Sequence, residues 1–196
     1  MLAYSSIAHA GYLLVALVAA NAYGAAAFLF YLVVYTLMTT GAFALVMVTS
    51  RAATERNTLE DYAGLGWQQP FLAAVFSIFL LSLAGFPLTG GFIGKLYILR
   101  AALESGYVLL AVSLVLASLI SYFYYLRVIV VMYMRPPASE QAHEGLAATA
   151  PTRFAITLAA VAVIALFFVP NLLLDAAQQS VATLFTTPGA FFGLGQ

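Results

Sequence analysis

Long apolar runs separated by short polar or breaker-rich joints make up almost the whole chain, and the spacing of the joints predicts the elements. A hydrocarbon core of about 30 Å is crossed by roughly 20 apolar residues in a helix. Cutting the chain at its joints gives six such segments. The first runs from about Leu2 to Ala20 and turns at "NAYG"; the second runs from about Ala25 to Ser50 and stops at Arg51. A polar loop, "RAATERNTLEDYAGLGWQQP", follows, and its Trp67 suits the aromatic belt of a membrane surface.

Between Pro70 and Arg100 the only strong internal charge is Lys95. About thirty residues as one helix would extend roughly 45 Å, too long for one perpendicular span and short for two. Gly85, Pro87, Gly90, Gly91 and Gly94 crowd the middle of this stretch. The breakers predict a helix from Phe71 to about Ala84, a bend, and a second helix from about Leu88 to Glu104. Such an interrupted pair is the sequence sign of discontinuous helices lining a transport site, because freed backbone groups in a bilayer need protein or water to satisfy them. A plain tight helical turn is the alternative.

The fifth segment runs from Tyr107 to Met134, the sixth from about Phe154 to Val169, and "PPASEQAHEGLAATAPTR" forms the polar loop between them. The tail carries "NLLLDAAQQSVATLF" at helical spacing, as an interfacial helix or a helix end fraying into solvent. The fold class is therefore all-α: a polytopic membrane protein of about six transmembrane helices with a Gly/Pro-broken helix near 85–95. Its domain organisation is a helical unit over 1–135, a polar loop over 136–152, and a final transmembrane helix with an interfacial tail over 153–196.

Composition narrows the function. Of 196 residues 64% are hydrophobic and 7% charged, with a mean hydropathy of +1.02, against about 25% charged in a soluble domain. Lys+Arg and Asp+Glu both number seven, so no net field would draw in nucleic acid or a polyanion. The absence of cysteine excludes disulfides, thiolate metal sites and iron–sulfur ligation. The N-terminus lacks the basic start of a secretory signal and reads as mature helix. Its apolar run opens at Leu2 without a polar lead-in, the pattern expected of a truncated or mis-started reading frame. Arginines flank alternate sides three and three (Arg51, Arg56, Arg100 against Arg127, Arg135, Arg153), so the positive-inside rule selects no orientation.

Lys95 is the only lysine. Eight residues from Pro87 and nine to Glu104 correspond to about 12 and 13.5 Å, which places it near the midplane. Charge at that depth costs around 2.5 to 3.5 kcal/mol on insertion scales, so ionisable residues there usually mark an ion or proton path. Snorkelling is the alternative, but a stem of about 6 Å does not cover that depth unless the helix tilts. Burial penalises the ammonium, so a moving neighbouring charge could load or eject its proton.

Other intramembrane polar residues are weaker candidates. His9 either relays protons or is a neutral histidine satisfied by packing neighbours. Tyr31, Tyr35 and Thr39 recur every four residues and line either a hydrated seam or a hydroxyl-packed interface. Ser77 and Ser82 read as packing residues. Tyr122, Tyr124 and Tyr125 beside Arg127 read first as an interfacial anchor, with Arg127 second as an ion-pair partner for an acid on a neighbouring chain. No G-x-S-x-G, zinc spacing, phosphate loop or pair of intramembrane carboxylates is present, His9 and His143 being far apart. Glu55, Glu60, Asp61, Glu104, Glu140, Glu144 and Asp175 fall in loops or at helix ends.

"LAYSSIAHAGY" (2–12), "LSLAGFPLTGGFIGKLYIL" (81–99) and "SYFYYLRV" (121–128) together resemble subunit N of the proton-pumping NADH:quinone oxidoreductase, respiratory complex I. The blocks keep their order over residues 2–135; the rest matches only as loop, span and tail. The resemblance implies an antiporter-like fold of two inverted five-helix repeats, each with a broken helix and a buried lysine, then a final helix. On this reading 1–135 is the second repeat and Lys95 its lysine, with the first repeat's glutamate and lysines absent. It also implies a proton-translocating subunit with no redox centre, placed in a bacterial-type plasma (inner) membrane. NADH, flavin and iron–sulfur clusters would belong to partner subunits and quinone to a remote site. Partners would be other membrane subunits of the complex and the lipid bilayer, with no nucleic acid; either a further chain carries the missing N-terminal half or the sequence is a fragment. A cation/proton antiporter subunit of the related multisubunit type, and a truncated non-conducting structural module, are the alternatives.

Overall fold

A computed structural model describes residues 1–50, 58–137 and 148–186, and all regular structure among them is helical. The helices are α1 (Leu2–Val18), α2 (Ala22–Ser50), α3 (Leu65–Gln68), α4 (Pro70–Ala84), α5 (Gly90–Glu104), α6 (Val108–Met134), α7 (Ala150–Phe168) and α8 (Pro170–Thr186), with a 3₁₀ turn at Glu60–Tyr62. Every apolar segment read from the sequence is a helix. By length and composition α2, α6 and α7 are each able to cross a membrane, and the bent pair around Gln69 adds a fourth candidate. Arg51, Glu55, Arg56, Glu140, His143 and Glu144 lie outside the described residues.

Boundaries moved where side chains cap the backbone. The expected turn at "NAYG" narrows to residues 19–21, because the Asn21 side chain accepts the Gly24 amide and lets α2 start at Ala22. Thr89 caps α5, taking the Phe92 amide on its hydroxyl, so that helix begins at Gly90 rather than Leu88. α7 starts at Ala150, four residues before the expected Phe154, with Pro151 in its first turn where a missing N–H costs nothing. The tail forms α8, whose Leu174, Ala177 and Val181 are buried in the bundle while Leu172 and Gln178 are exposed.

α4 and α5 have 15 residues each, about 22 Å and too short to cross alone. They stack end to end. Along α2, Tyr23 and Phe30 meet Tyr97, Tyr31 meets Gly94, and Gly41 meets Phe79. Along α6, Ser118 and Leu114 share a cavity with Leu96 and Leu99, Tyr122 reaches Gly85, and Tyr133 packs on Gly66. Both long helices therefore run antiparallel to one continuous, broken rod. Between membrane helices, close packing replaces the hydrophobic drive, and α2 packs through Ala26, Ala27, Phe30, Val34, Met38 and Ala42, all fully buried. At the rod's entrance the chain turns by 119° between the Glu60–Gln68 stretch and α4. Trp67, 76% exposed, donates its indole N–H to the Tyr133 carbonyl there.

Candidate functional site at the helix break

A helix that stops inside a bundle leaves carbonyls without partners, and α4 stops at Ala84 in the middle of this one. Gly85 adopts φ +87° and returns its amide to Leu81 and Ser82, while the Phe86 amide also bonds Leu81. Only glycine takes that backbone readily. A second reason applies at this position: a Cβ on Gly85 would sit 3.1 Å from Nζ of Lys95. Pro87 lies exposed in the loop beside Leu88, which holds a left-handed φ of +75°.

The remaining carbonyls meet the lysine. Nζ of Lys95 donates to the Leu83 carbonyl at 3.0 Å and the Ala84 carbonyl at 2.8 Å, and the residue is 6% exposed. Nζ also lies 4.9 Å from the centroid of the Tyr12 ring. The cation thus caps the negative end of the α4 dipole. Among the described residues no carboxylate pairs with it; the ion pairs seen are Arg100 with Glu104 and Arg135 with Glu60. The amine is turned inward, so the snorkelling alternative does not describe this geometry.

The start of α5 is satisfied from the same break. Ser82 accepts the Gly91 amide at 3.2 Å and donates to Sδ of Met38, so it joins the two half-helices, beyond the packing role read from the sequence. Gly91 lies against the Ser82 carbonyl, Gly94 under the Tyr31 ring, and Gly90 against the Val163 carbonyl of α7. Small residues let these backbones meet. Ser77 donates to its own helix, at the Ala73 carbonyl.

Beside the lysine lies a buried imidazole. His9 is 1% exposed, with Nδ1 2.6 Å from the Tyr31 hydroxyl and Nε2 3.2 Å from the Tyr125 hydroxyl. A neutral imidazole has one donor and one acceptor nitrogen, so both tyrosines are satisfied in either tautomer. Tyr35 stacks on the ring at 4.8 Å, and Tyr12 meets it edge-on at 5.5 Å while also covering Lys95. Tyr12 approaches Ser121 at 3.5 Å. The histidine read from α1 and the tyrosines read from α2 therefore form one cluster with the lysine. Thr39 stands apart from it, its buried hydroxyl without a hydrogen bond among the described residues.

Three participants were missed or misplaced by the sequence. Tyr125 is fully buried on His9 and Tyr122 donates to the Gly85 carbonyl at 2.7 Å, so neither is an interfacial anchor. Both face inward because they lie one turn apart on the α6 face that carries Ser121 and Val128. Tyr12 gave no signal beyond its spacing of three from His9, which puts both on one face of α1. Arg127 is exposed on α6 and takes part in neither of the ion pairs above.

A broken rod with an inward lysine capping its first half, inside an apolar helical bundle, defines an antiporter-like membrane protein. Residues 1–121 match the family model described as "NADH:quinone oxidoreductase/Mrp antiporter, TM", and the chain belongs to that family. It is 44% identical over 181 residues to NADH-quinone oxidoreductase subunit N of Trichlorobacter lovleyi, covering 92% of this chain and 37% of that one. Against subunit N 1 of Solibacter usitatus it is 48% identical over 94% of its length and 38% of the relative's. It thus spans under two fifths of these relatives. Among solved structures it resembles a chain of respiratory complex I from Thermus thermophilus, with TM-score 0.76, 37% identity, and 90% of this chain on 39% of that one. The fold also matches a chain of the Mrp complex from Dietzia at TM-score 0.82 and 20% identity, covering 94% and 42%.

Proposed function

We propose that this chain is part of a membrane subunit of a proton-translocating NADH:quinone oxidoreductase, in which Lys95 takes up and releases a proton at the helix break. The observation that carries the reading is the pairing of Lys95 with the Leu83 and Ala84 carbonyls and, among the described residues, with no carboxylate. Carbonyl dipoles stabilise the ammonium only in part, so an incoming charge or a shift of the α4 end would tip it toward release. His9, with a tyrosine hydroxyl on each side, accepts a proton at one nitrogen and gives one up at the other, which exchanges its tautomers. Water between Lys95 and this ring would complete the route.

Redox chemistry belongs to other subunits in this reading: the chain itself binds neither NADH, flavin nor an iron–sulfur cluster, and quinone is reduced elsewhere. Its partners are the complex's other membrane subunits, and its location is a bacterial plasma membrane. Arg127 is available to an acid on such a neighbour. The likeness to the Mrp complex favours a second reading, a subunit of a multisubunit cation/proton antiporter.

The test replaces Lys95 by Ala in the assembled complex and measures proton uptake coupled to quinone reduction. Loss of uptake with normal assembly is expected. Unchanged uptake would overturn the role of Lys95, and failure to assemble would favour a structural module. Sodium-driven proton exchange in vesicles without any quinone dependence would select the antiporter.

A further inference from the structure

The carbonyls at the end of α4 divide between two side-chain donors from different helices. Leu83 and Ala84 go to Lys95, and Gly85, the next residue, goes to Tyr122 of α6. The Gly85 backbone lies against the lysine's tip, since a Cβ built there would sit 2.9 Å from Cδ and 3.1 Å from Nζ. Tyr122 also lines, with Lys95, Phe92 and Ser118, a cavity of about 170 Å³ between α5 and α6. The Ser118 hydroxyl is buried there without a hydrogen bond among the described residues.

We propose that Tyr122 is a positioning residue for Lys95: by engaging the Gly85 carbonyl, its hydroxyl fixes how many backbone acceptors the ammonium can reach. This rests on the reading of Lys95 as the transported proton's site. With Tyr122 in place, the Gly85 oxygen is held toward α6 and Lys95 has two carbonyls. Without the phenol hydroxyl, the Gly85 carbonyl becomes a free acceptor beside an ammonium that still has an N–H to give, and carbonyls buried without partners recruit the nearest donor. A third acceptor holds the proton more tightly. The other titratable groups around Lys95 are unchanged by this substitution: Tyr12 and His9 from α1, with Tyr31 of α2 and Tyr125 of α6 one step further, on the His9 ring.

The experiment compares Lys95→Ala, Tyr122→Phe and, as a control on an exposed phenol, Tyr4→Phe in the assembled complex, measuring quinone-coupled proton pumping from pH 5 to 9. Tyr122→Phe should assemble, retain pumping, and displace the pH profile upward by about one unit, the change one hydrogen bond makes at an ionisable group. Tyr4→Phe should leave the profile in place. A residue with only a packing role would lower the yield of complex without moving the profile, so an unmoved profile overturns the proposal while leaving Lys95's role intact. Unchanged pumping in Lys95→Ala overturns both. Should Tyr122→Phe fail to assemble, 4-fluorophenylalanine at position 122 fills the space of the phenol without a donor; a profile displaced upward then supports the proposal and an unmoved one overturns it.

Discussion

Lys95 and Arg100 stand five residues apart on α5 and are held in opposite ways. Arg100 is 63% exposed at the helix end, 2.7 Å from the Glu104 carboxylate and 4.6 Å above the Tyr23 ring. Lys95 is buried against neutral carbonyls and an aromatic face. The exposed cation has a full counter-charge and hardly needs it, since water already screens it. The buried cation, where a counter-charge would matter most, has only dipoles and an aromatic face among the described residues. A permanent charge at that depth would be expected to carry a fixed anion; dipoles alone suit a charge that comes and goes.

Four substitutions probe that contrast, each measured as unfolding of the chain in detergent micelles. Gly91→Ala should have the largest effect, about 3 kcal/mol of destabilisation, because its methyl group meets the Ser82 backbone and drives the half-helices apart. Native-like stability would mean that the break is looser than described. Lys95→Met should cost about 2 kcal/mol by leaving the Leu83 and Ala84 carbonyls without donors. If the methionine chain were more stable than the parent, the lysine would be a burden on the fold. Thr89→Ala removes the cap of α5 and should cost about 1 kcal/mol. Arg100→Gln should leave the unfolding curve where it is; a larger effect there than at Lys95 would reverse the comparison.

The helices were readable because burial in a bilayer demands uninterrupted apolar length, and the break because Gly85, Pro87 and Gly90 cannot sit within it unnoticed. Lys95 was found by its depth alone. Its partners were not, since backbone carbonyls leave no trace in a sequence and the choice of which carbonyl ends are free depends on how the two half-helices stack. Tyr122 and Tyr125 were misassigned for a related reason. Clustered tyrosines beside an arginine look the same whether they meet headgroups or a neighbouring helix, and only the contacts across 37 residues to Gly85 and 116 residues to His9 decide it. His9 was legible as a polar residue in a span, while its place between two hydroxyls required α2 and α6 to arrive from opposite sides.

Trp67 is the chain's single tryptophan, anchored through its indole N–H to the Tyr133 carbonyl while most of its ring faces outward. Tryptophan emission from these residues therefore originates at one known spot, beside the bend that leads into α4. Brominated acyl chains carrying the quencher at graded depths would turn that emission into a ruler for how the bundle sits in the bilayer, with no label added and no residue exchanged.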